Sequence, residues 1–172
     1  MPVSRDLYRA ISGSFPTGVL IVATLDENTA PKGLLTQAYV GVSTDPPLML
    51  VSIDKTSRTL PALQRRRAFV INFLREGADD LARIFASKSD EKFRDVAWEP
   101  SPEADGSPIL RDASVAYAAC RVTEMREAGD HWIFIGSVEA GQVFGGTPLM
   151  YYKRTYAVWA AERPAPPVEG VG

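Results

Sequence analysis

Gly18-Val19-Leu20-Ile21-Val22-Ala23-Thr24 is an aliphatic, β-branched run that stops at the polar segment Asp26-Glu27-Asn28, the pattern of a buried strand delivered into a turn. The unit recurs. Gly33 to Thr44 reads as a second strand, Asp45-Pro46-Pro47 as a stiff turn, and Leu48-Met49-Leu50-Val51-Ser52-Ile53 as a third, very apolar strand. Ala68-Phe69-Val70-Ile71-Asn72-Phe73-Leu74 follows in the same style. Val115 to Val122 and Trp132 to Val138 add two more strands around the hairpin-like Glu127-Ala128-Gly129-Asp130, and Tyr151 to Trp159 is expected to close the sheet. Many short strands joined by turns predict a mainly β fold, a barrel rather than a Rossmann domain. No GxGxxG follows a strand, and no Walker motif occurs.

Helical spacing is confined to three places. Asp6 to Ser14 carries Leu7, Tyr8 and Ile11 and is ended by Pro16. Ser57 to Gln64 turns Leu60 and Leu63 inward, and Ala78 to Ala86 places Leu81, Ile84 and Phe85 on one face. Arg65-Arg66-Arg67 between them reads as solvated surface. Asp95 to Asp112, rich in Pro, Glu, Asp, Gly and Ser, is expected to be a long surface loop. The tail Arg163-Pro164-Ala165-Pro166-Pro167 lacks the amide donors for a sheet and reads as a flexible or draped end.

The chain has 172 residues, the size of one domain; 45% are hydrophobic and 23% charged, and no apolar run is long enough to span a bilayer. The opening Met1-Pro2-Val3-Ser4-Arg5-Asp6 has no signal-peptide pattern, so a cytoplasmic protein with no membrane partner is expected. A net charge of −2 argues against nucleic acid as partner, because phosphates demand surplus Lys and Arg on one face. One cysteine and one histidine cannot build the usual zinc site, so no metal is expected, and Cys120 reads as a small core residue. Demanding redox chemistry would have to come from an organic cofactor.

Four segments carry groups suited to one. Thr36-Gln37-Ala38-Tyr39, between Gly33 and Gly41, offers backbone groups and an amide to a flat heterocycle, or is a strand with one wet face. Ser52 to Thr59 leaves a strand and enters a helix; its hydroxyls and Arg58 suit a phosphate, or Thr56 or Ser57 simply caps the helix. Phe85 to Phe93 sets Ser87, Lys88 and Lys92 between aromatics, a weaker signal for a phosphate and a stacked ring. Gly129-Asp130-His131-Trp132 holds the one histidine, structural or solvated on its own reading.

In order, these segments resemble the flavin reductase family, the reductase components of two-component flavin monooxygenases. The resemblance rests on Phe15-Pro16-Thr17-Gly18-Val19, Gly33-Leu34-Leu35-Thr36, Val42-Ser43-Thr44-Asp45-Pro46-Pro47-Leu48 and Ser57-Arg58-Thr59. It continues through Phe69 to Leu74, Leu81-Ala82-Arg83-Ile84-Phe85-Ala86, Lys92-Phe93, Gly129-Asp130-His131, Ile135-Gly136-Ser137-Val138 and Pro148-Leu149-Met150-Tyr151-Tyr152. It implies a split β-barrel of the FMN-binding type with two or three peripheral helices. It further implies one domain with its core at about 12–160 and a tail at 161–172, a homodimer, and a separate monooxygenase partner. FMN or FAD would be cofactor or substrate and NADH or NADPH co-substrate. Thr17 and the segment Thr36, Gln37, Ala38, Tyr39 would meet the flavin, as would Ser52, Ile53 and Asp54. Ser57, Arg58 and Thr59 would hold its phosphate, and Ser87, Lys88, Lys92 and Phe93 the phosphate or adenine end. His131 is the catalytic candidate, placing nicotinamide and flavin edge, and Arg154 is a further cofactor-binding candidate. The chain departs from the family pattern at Gln37-Ala38-Tyr39, where the bulkier Gln and Tyr are expected to narrow the pocket or to alter hydrogen bonds to the ring. A flavin store or sensor, or a ferric reductase on the same fold, stands as the alternative.

Overall fold

The computed structural model describes residues 1–158, so Trp159 and the proline-rich tail lie outside the described residues. The chain runs α1 (Arg5–Ser12), β1 (Thr17–Gly18), β2 (Leu20–Leu25), β3 (Pro31–Thr36), β4 (Tyr39–Thr44), β5 (Pro47–Asp54), α2 (Leu60–Arg66), β6 (Ala68–Leu74) and α3 (Asp79–Ala86). It continues with β7 (Glu99–Ser101), β8 (Ser107–Ile109), β9 (Ser114–Ala128), β10 (His131–Val143), β11 (Leu149–Tyr152) and β12 (Thr155–Val158). Seven strands form one antiparallel sheet in the order β3-β2-β6-β9-β10-β5-β4. Its two edge strands, β3 and β4, are consecutive in the chain with only Gln37 and Ala38 between them, so the sheet must curl until its edges meet. At the meeting point Ser52 N–H donates to Ala38 C=O at 3.1 Å. The result is a barrel split beside Gln37-Ala38.

All seven strands feed the interior. Leu20, Val22, Val51, Ile53, Phe69, Ile71, Ala118, Cys120 and Phe134 form the central cluster, with Leu34 and Tyr39 packed on it from the edges. α2 plugs one end with Leu60 and Leu63, as its spacing predicts. β2 is apolar throughout because it is buried on both faces: Leu20 and Val22 point into the barrel, and Ile21 and Ala23 pack outward against Ala82 and Phe85 of α3.

Several expectations need correction. The single strand predicted from Gly33 to Thr44 is two strands, because the chain must cross the split. As far as Val158, the last predicted strand does not close the main sheet; β11 and β12 form a hairpin that joins β1 in a separate sheet of three strands. On α3 it is Ala82, with Phe85, that is buried, while Ile84 is exposed. Asp95 to Asp112 is no surface loop. It holds β7 and β8, and buried Asn72 clamps it to the barrel: its amide donates to Pro108 C=O at 3.1 Å and its Oδ1 accepts from Leu110 N–H at 2.7 Å. That accounts for a buried Ser101, Ala104, Ser107 and Ile109 in so polar a stretch. Leu7, Tyr8 and Ile11 of α1 all lie on the surface, and the helix buries no residue.

Candidate functional site

A cleft of about 780 Å³ opens where the barrel is split. Its floor is Gln37 and Ala38, one wall is the end of α1 through Phe15, and the other is Tyr151 to Arg154 at the β11–β12 turn. Thr36 shapes the floor: its Oγ1 accepts from Ala38 N–H at 3.1 Å and lies 3.5 Å from Ser52 C=O, while Tyr39 N–H donates to Gln37 C=O at 3.1 Å, so the backbone turns sharply between β3 and β4. Thr17, opposite Tyr151 in the β1–β11 register, also lines the cleft. Its buried Oγ1 has no hydrogen-bond partner in the protein, a cost that a bound polar ligand removes. The cleft thus gathers Thr17, Gln37, Ala38 and Arg154 from the sequence-predicted set.

Tyr39 is absent from this lining. Its ring turns into the barrel and meets Phe73 edge-on, centroids 5.2 Å apart, and burial raises its phenol pKa above the ordinary value. Its bulk therefore fills core rather than narrowing the cleft, and only Gln37 of the departing residues does so. Ile53 is fully buried in the core, leaving its backbone alone to approach a ligand.

At the other end of β3 lies a small recess of about 40 Å³ bordered by Lys32, Gly33, Arg58, Thr59, Asp90 and Lys92. Gly33 is its hinge. Its carbonyl accepts from Thr59 Oγ1 at 3.0 Å and from Lys92 Nζ at 3.2 Å, and a Cβ there would lie 2.6 Å from the Phe85 ring. Lys92 Nζ donates also to Phe85 C=O at 2.9 Å, and burial together with nearby Arg58 pushes its pKa below the ordinary lysine value. Arg58 is held by Asp90 at 2.7 Å. Neither Thr56 nor Ser57 caps α2; Thr59 stands at the N-cap, and Ser57 Oγ accepts from Thr59 N–H at 3.3 Å. Phe93 also borders the recess, its ring packed edge-on against Phe85 at 4.9 Å. Ser87 Oγ donates back to Ile84 C=O at the end of α3, and neither Ser87 nor Lys88 borders the recess.

His131 begins β10 opposite Asp54 of β5 and does not line the cleft. Its Nδ1 is 2.7 Å from Asp130 Oδ1, and that bond holds the Asp130 carboxyl below its ordinary pKa. Asp54 accepts from both the hydroxyl and the N–H of Thr56, which lowers its pKa in turn. Residues the sequence reading missed are Arg9, Tyr151, Tyr152 and Lys153 at the cleft, and Lys32 and Asp90 at the recess. The motif ending in Tyr151-Tyr152 gave a signal for two of them, and the Phe85 to Phe93 segment spans Asp90.

A planar ring carrying a phosphate on a short chain needs a slot with polar groups along an edge and a cationic recess some way off. Gly33 on β3 and Gln37 just past its end stand four residues apart, at most about 13 Å at 3.3 Å per residue, so one edge strand and its exit supply both ends. The unsatisfied hydroxyl of Thr17 fits such an occupant. A split barrel built in this way is of the flavin-binding oxidoreductase class. The family model of the flavin reductase like domain matches residues 12–160. The chain belongs to that family.

Among its relatives, a flavin reductase (NADH) of Kitasatospora aureofaciens is 44% identical over 162 residues, covering 93% of this chain and 84% of the relative. A flavin reductase (NADPH) of Lentzea aerocolonigenes is 34% identical over 155 residues, 90% of each. The crystal structure of nitrilotriacetate monooxygenase component B from Mycobacterium thermoresistibile superposes with a TM-score of 0.90 at 31% identity, over 97% of this chain and 93% of the other.

Proposed function

We propose that this enzyme reduces FMN or FAD with NADH or NADPH and delivers the reduced flavin to a separate flavin-dependent monooxygenase. The observation that carries the reading is the cleft at the split, with the unpartnered Thr17 hydroxyl beside Gln37 and Ala38. When bound, flavin supplies the redox chemistry, its N5 taking the hydride that leaves C4 of the nicotinamide. What this chain supplies is binding and orientation. Thr17 and Gln37 hold the ring over the floor that Thr36, Ala38 and Ser52 build by bonding to one another, with Tyr39, Ile53 and Asp54 fixing the strands behind it. Ser57, Arg58, Thr59 and Lys92 hold the phosphate, with Ser87, Lys88 and Phe93 shaping the segment that carries Lys92. His131 acts at the nicotinamide edge: Asp130 engages its Nδ1, which leaves Nε2 for the ligand.

The relatives named for NADH and for NADPH support both donors, and the one named as a monooxygenase component supports the separate oxygenase. The reading includes a cytoplasmic, homodimeric protein of one domain, core 12–160 with a tail at 161–172. Consistent with it, no helix among the described residues is long and apolar enough to cross a membrane. The test is anaerobic mixing with FMN or FAD followed by NADH or NADPH, against a protein-free control. Rapid loss of the visible flavin band is the expected result. Tight flavin binding without bleaching by either nucleotide overturns it in favour of a flavin store or sensor.

A further inference from the structure

The β11–β12 hairpin is closed by Lys153 and Arg154, with Tyr152 opposite Thr155. Both turn residues have positive φ, 46° for Lys153 and 67° for Arg154. A tight hairpin turn with two left-handed residues favours Asn and Gly, which adopt that region at little cost; long side chains with a Cβ do so under strain. Strain of this kind persists where neighbouring structure enforces it, and it concentrates at ligand sites. Here the turn forms the rim of the cleft and sets both side chains on its wall.

Arg9, from the last turn of α1, faces them across the opening, so three cations line the cleft, and among the described residues no carboxylate does. Lys153 and Arg154 enter no ion pair among the described residues; the Lys153 ammonium lies 5.2 Å from the centre of the Tyr152 ring instead. Arg9 meets only the exposed Asp6, at 4.0 Å. In the reading above, the flavin phosphate belongs to Arg58 and Lys92 at the far end of β3, which leaves this cationic rim to another anion. The same cleft presents Phe15, Tyr151 and Tyr152 as aromatic surface. Cations over aromatic walls suit a ligand that alternates phosphates with flat bases.

We infer that Arg9, Lys153 and Arg154 form the phosphate-binding rim for the nicotinamide dinucleotide, with Arg154 as the principal positioning residue. The inference rests on the flavin reductase reading and adds the residues that recognise the electron donor. The shared chemistry is a phosphate ester, supplied by the pyrophosphate of either dinucleotide or by the additional 2′-phosphate of NADPH.

The test uses riboflavin as acceptor, because it has no phosphate of its own, with Arg154→Gln and Lys153→Gly beside the natural chain. Loss of a charge-assisted contact at a half-open rim is expected to raise the KM for dinucleotide about five- to twenty-fold in Arg154→Gln. The dissociation constant of riboflavin, read by fluorescence quenching, is expected to stay within about two-fold. Lys153→Gly controls for folding: glycine accepts the positive φ, so the melting temperature should hold or rise while KM still increases. A larger loss for NADPH than NADH assigns the rim to the 2′-phosphate, and equal losses assign it to the pyrophosphate; both support the inference. Unchanged KM for both dinucleotides overturns it. So does weakened binding of FMN with riboflavin unaffected, which would give these cations to the flavin phosphate. Calorimetry with NAD⁺ and NADP⁺ reads the rim without turnover, so failure of riboflavin and FMN to bleach sinks the reductase reading separately.

Discussion

Asp90 occupies the guanidinium that a flavin phosphate would claim. Its carboxylate lies 2.7 Å from Arg58 at the mouth of the recess, both groups largely exposed, so a phosphate entering there must displace it. Exposed pairs of this kind are weak, on the order of 0.2–1 kcal/mol, so the competition is mild. Asp90→Asn is expected to tighten FMN about two- to five-fold at low salt and to leave riboflavin unchanged, measured by fluorescence titration; equal changes for both flavins would show that Asp90 does not compete with phosphate. Cys120 is the opposite case, a titratable group with no room to act. It is fully buried among Phe69, Phe134 and Gly136, and burial pushes its thiol pKa up to about 12 from an ordinary 9.0. Because the folded value is the higher, the stability it contributes is whole below pH 9 and is lost as pH rises from there through 12. Native protein should therefore give no thiol signal with Ellman's reagent at pH 8 and a full one in denaturant, and a rapid native reaction would show the site open. At this scale the sequence was a partial guide. Residue chemistry and resemblance together reached Thr17, Gln37, Ala38, Arg58, Thr59, Lys92 and Arg154, but the direction of a side chain depends on strand phase. Tyr39, equally plausible in one dimension, turns into the core, while Phe93 borders the recess with its ring packed on Phe85.

β3 is the element on which the site depends, and Gly33 is its fulcrum. The strand passes so close under α3 that no side chain fits at Gly33, and its carbonyl ties Thr59 and Lys92 into the recess. Gly33→Ala drives a methyl into the Phe85 ring, which is itself locked against Phe93. The expected cost is about 1–3 kcal/mol of stability, read from denaturant midpoints, together with weaker FMN binding as Thr59 and Lys92 shift. Loss of stability with FMN affinity intact would show the recess to be independent of β3. Strands whose apolar runs are flanked by turn residues were legible in sequence; β6 was read to the residue, and β5 to within a residue at either end. The break between β3 and β4 was not, because Gln37 and Ala38 carry no Gly, Pro, Asn or Asp to mark it. What bends the chain there is the Thr36 hydroxyl and the need to cross the split, which is a tertiary demand. The packed Asp95 to Asp112 segment was missed for a related reason: its polarity is satisfied by Asn72 from another strand.

Taken as a whole, the described residues leave two apolar features without a partner among themselves. α1 presents Leu7, Tyr8 and Ile11 outward beside the cleft, and β4, an edge of the main sheet, exposes Val40 and Val42 beside a recess of about 650 Å³ lined by Ser43, Leu48, Met49 and Val138. Helical spacing predicts α1 but cannot say what its apolar stripe covers, and the barrel of this chain covers none of it. An edge strand with exposed valines is a hazard unless something pairs with it or packs over it, and a homodimer supplies that cover from an identical surface. Valine buried completely at such a contact contributes about 1.5–3 kcal/mol relative to exposure, and two from each copy make β4 a strong candidate for the centre of the interface. A lysine in that position brings an unpaired charge that association would have to desolvate, repeated in the second copy. The double variant Val40→Lys, Val42→Lys is therefore expected to shift the species seen by light scattering from twice the chain mass to one chain mass, with its β-sheet circular dichroism retained. Twice the chain mass in the variant as in the natural protein would move the interface to the α1 stripe, where Ile11→Lys repeats the test; a natural protein of one chain mass would refute the homodimer itself.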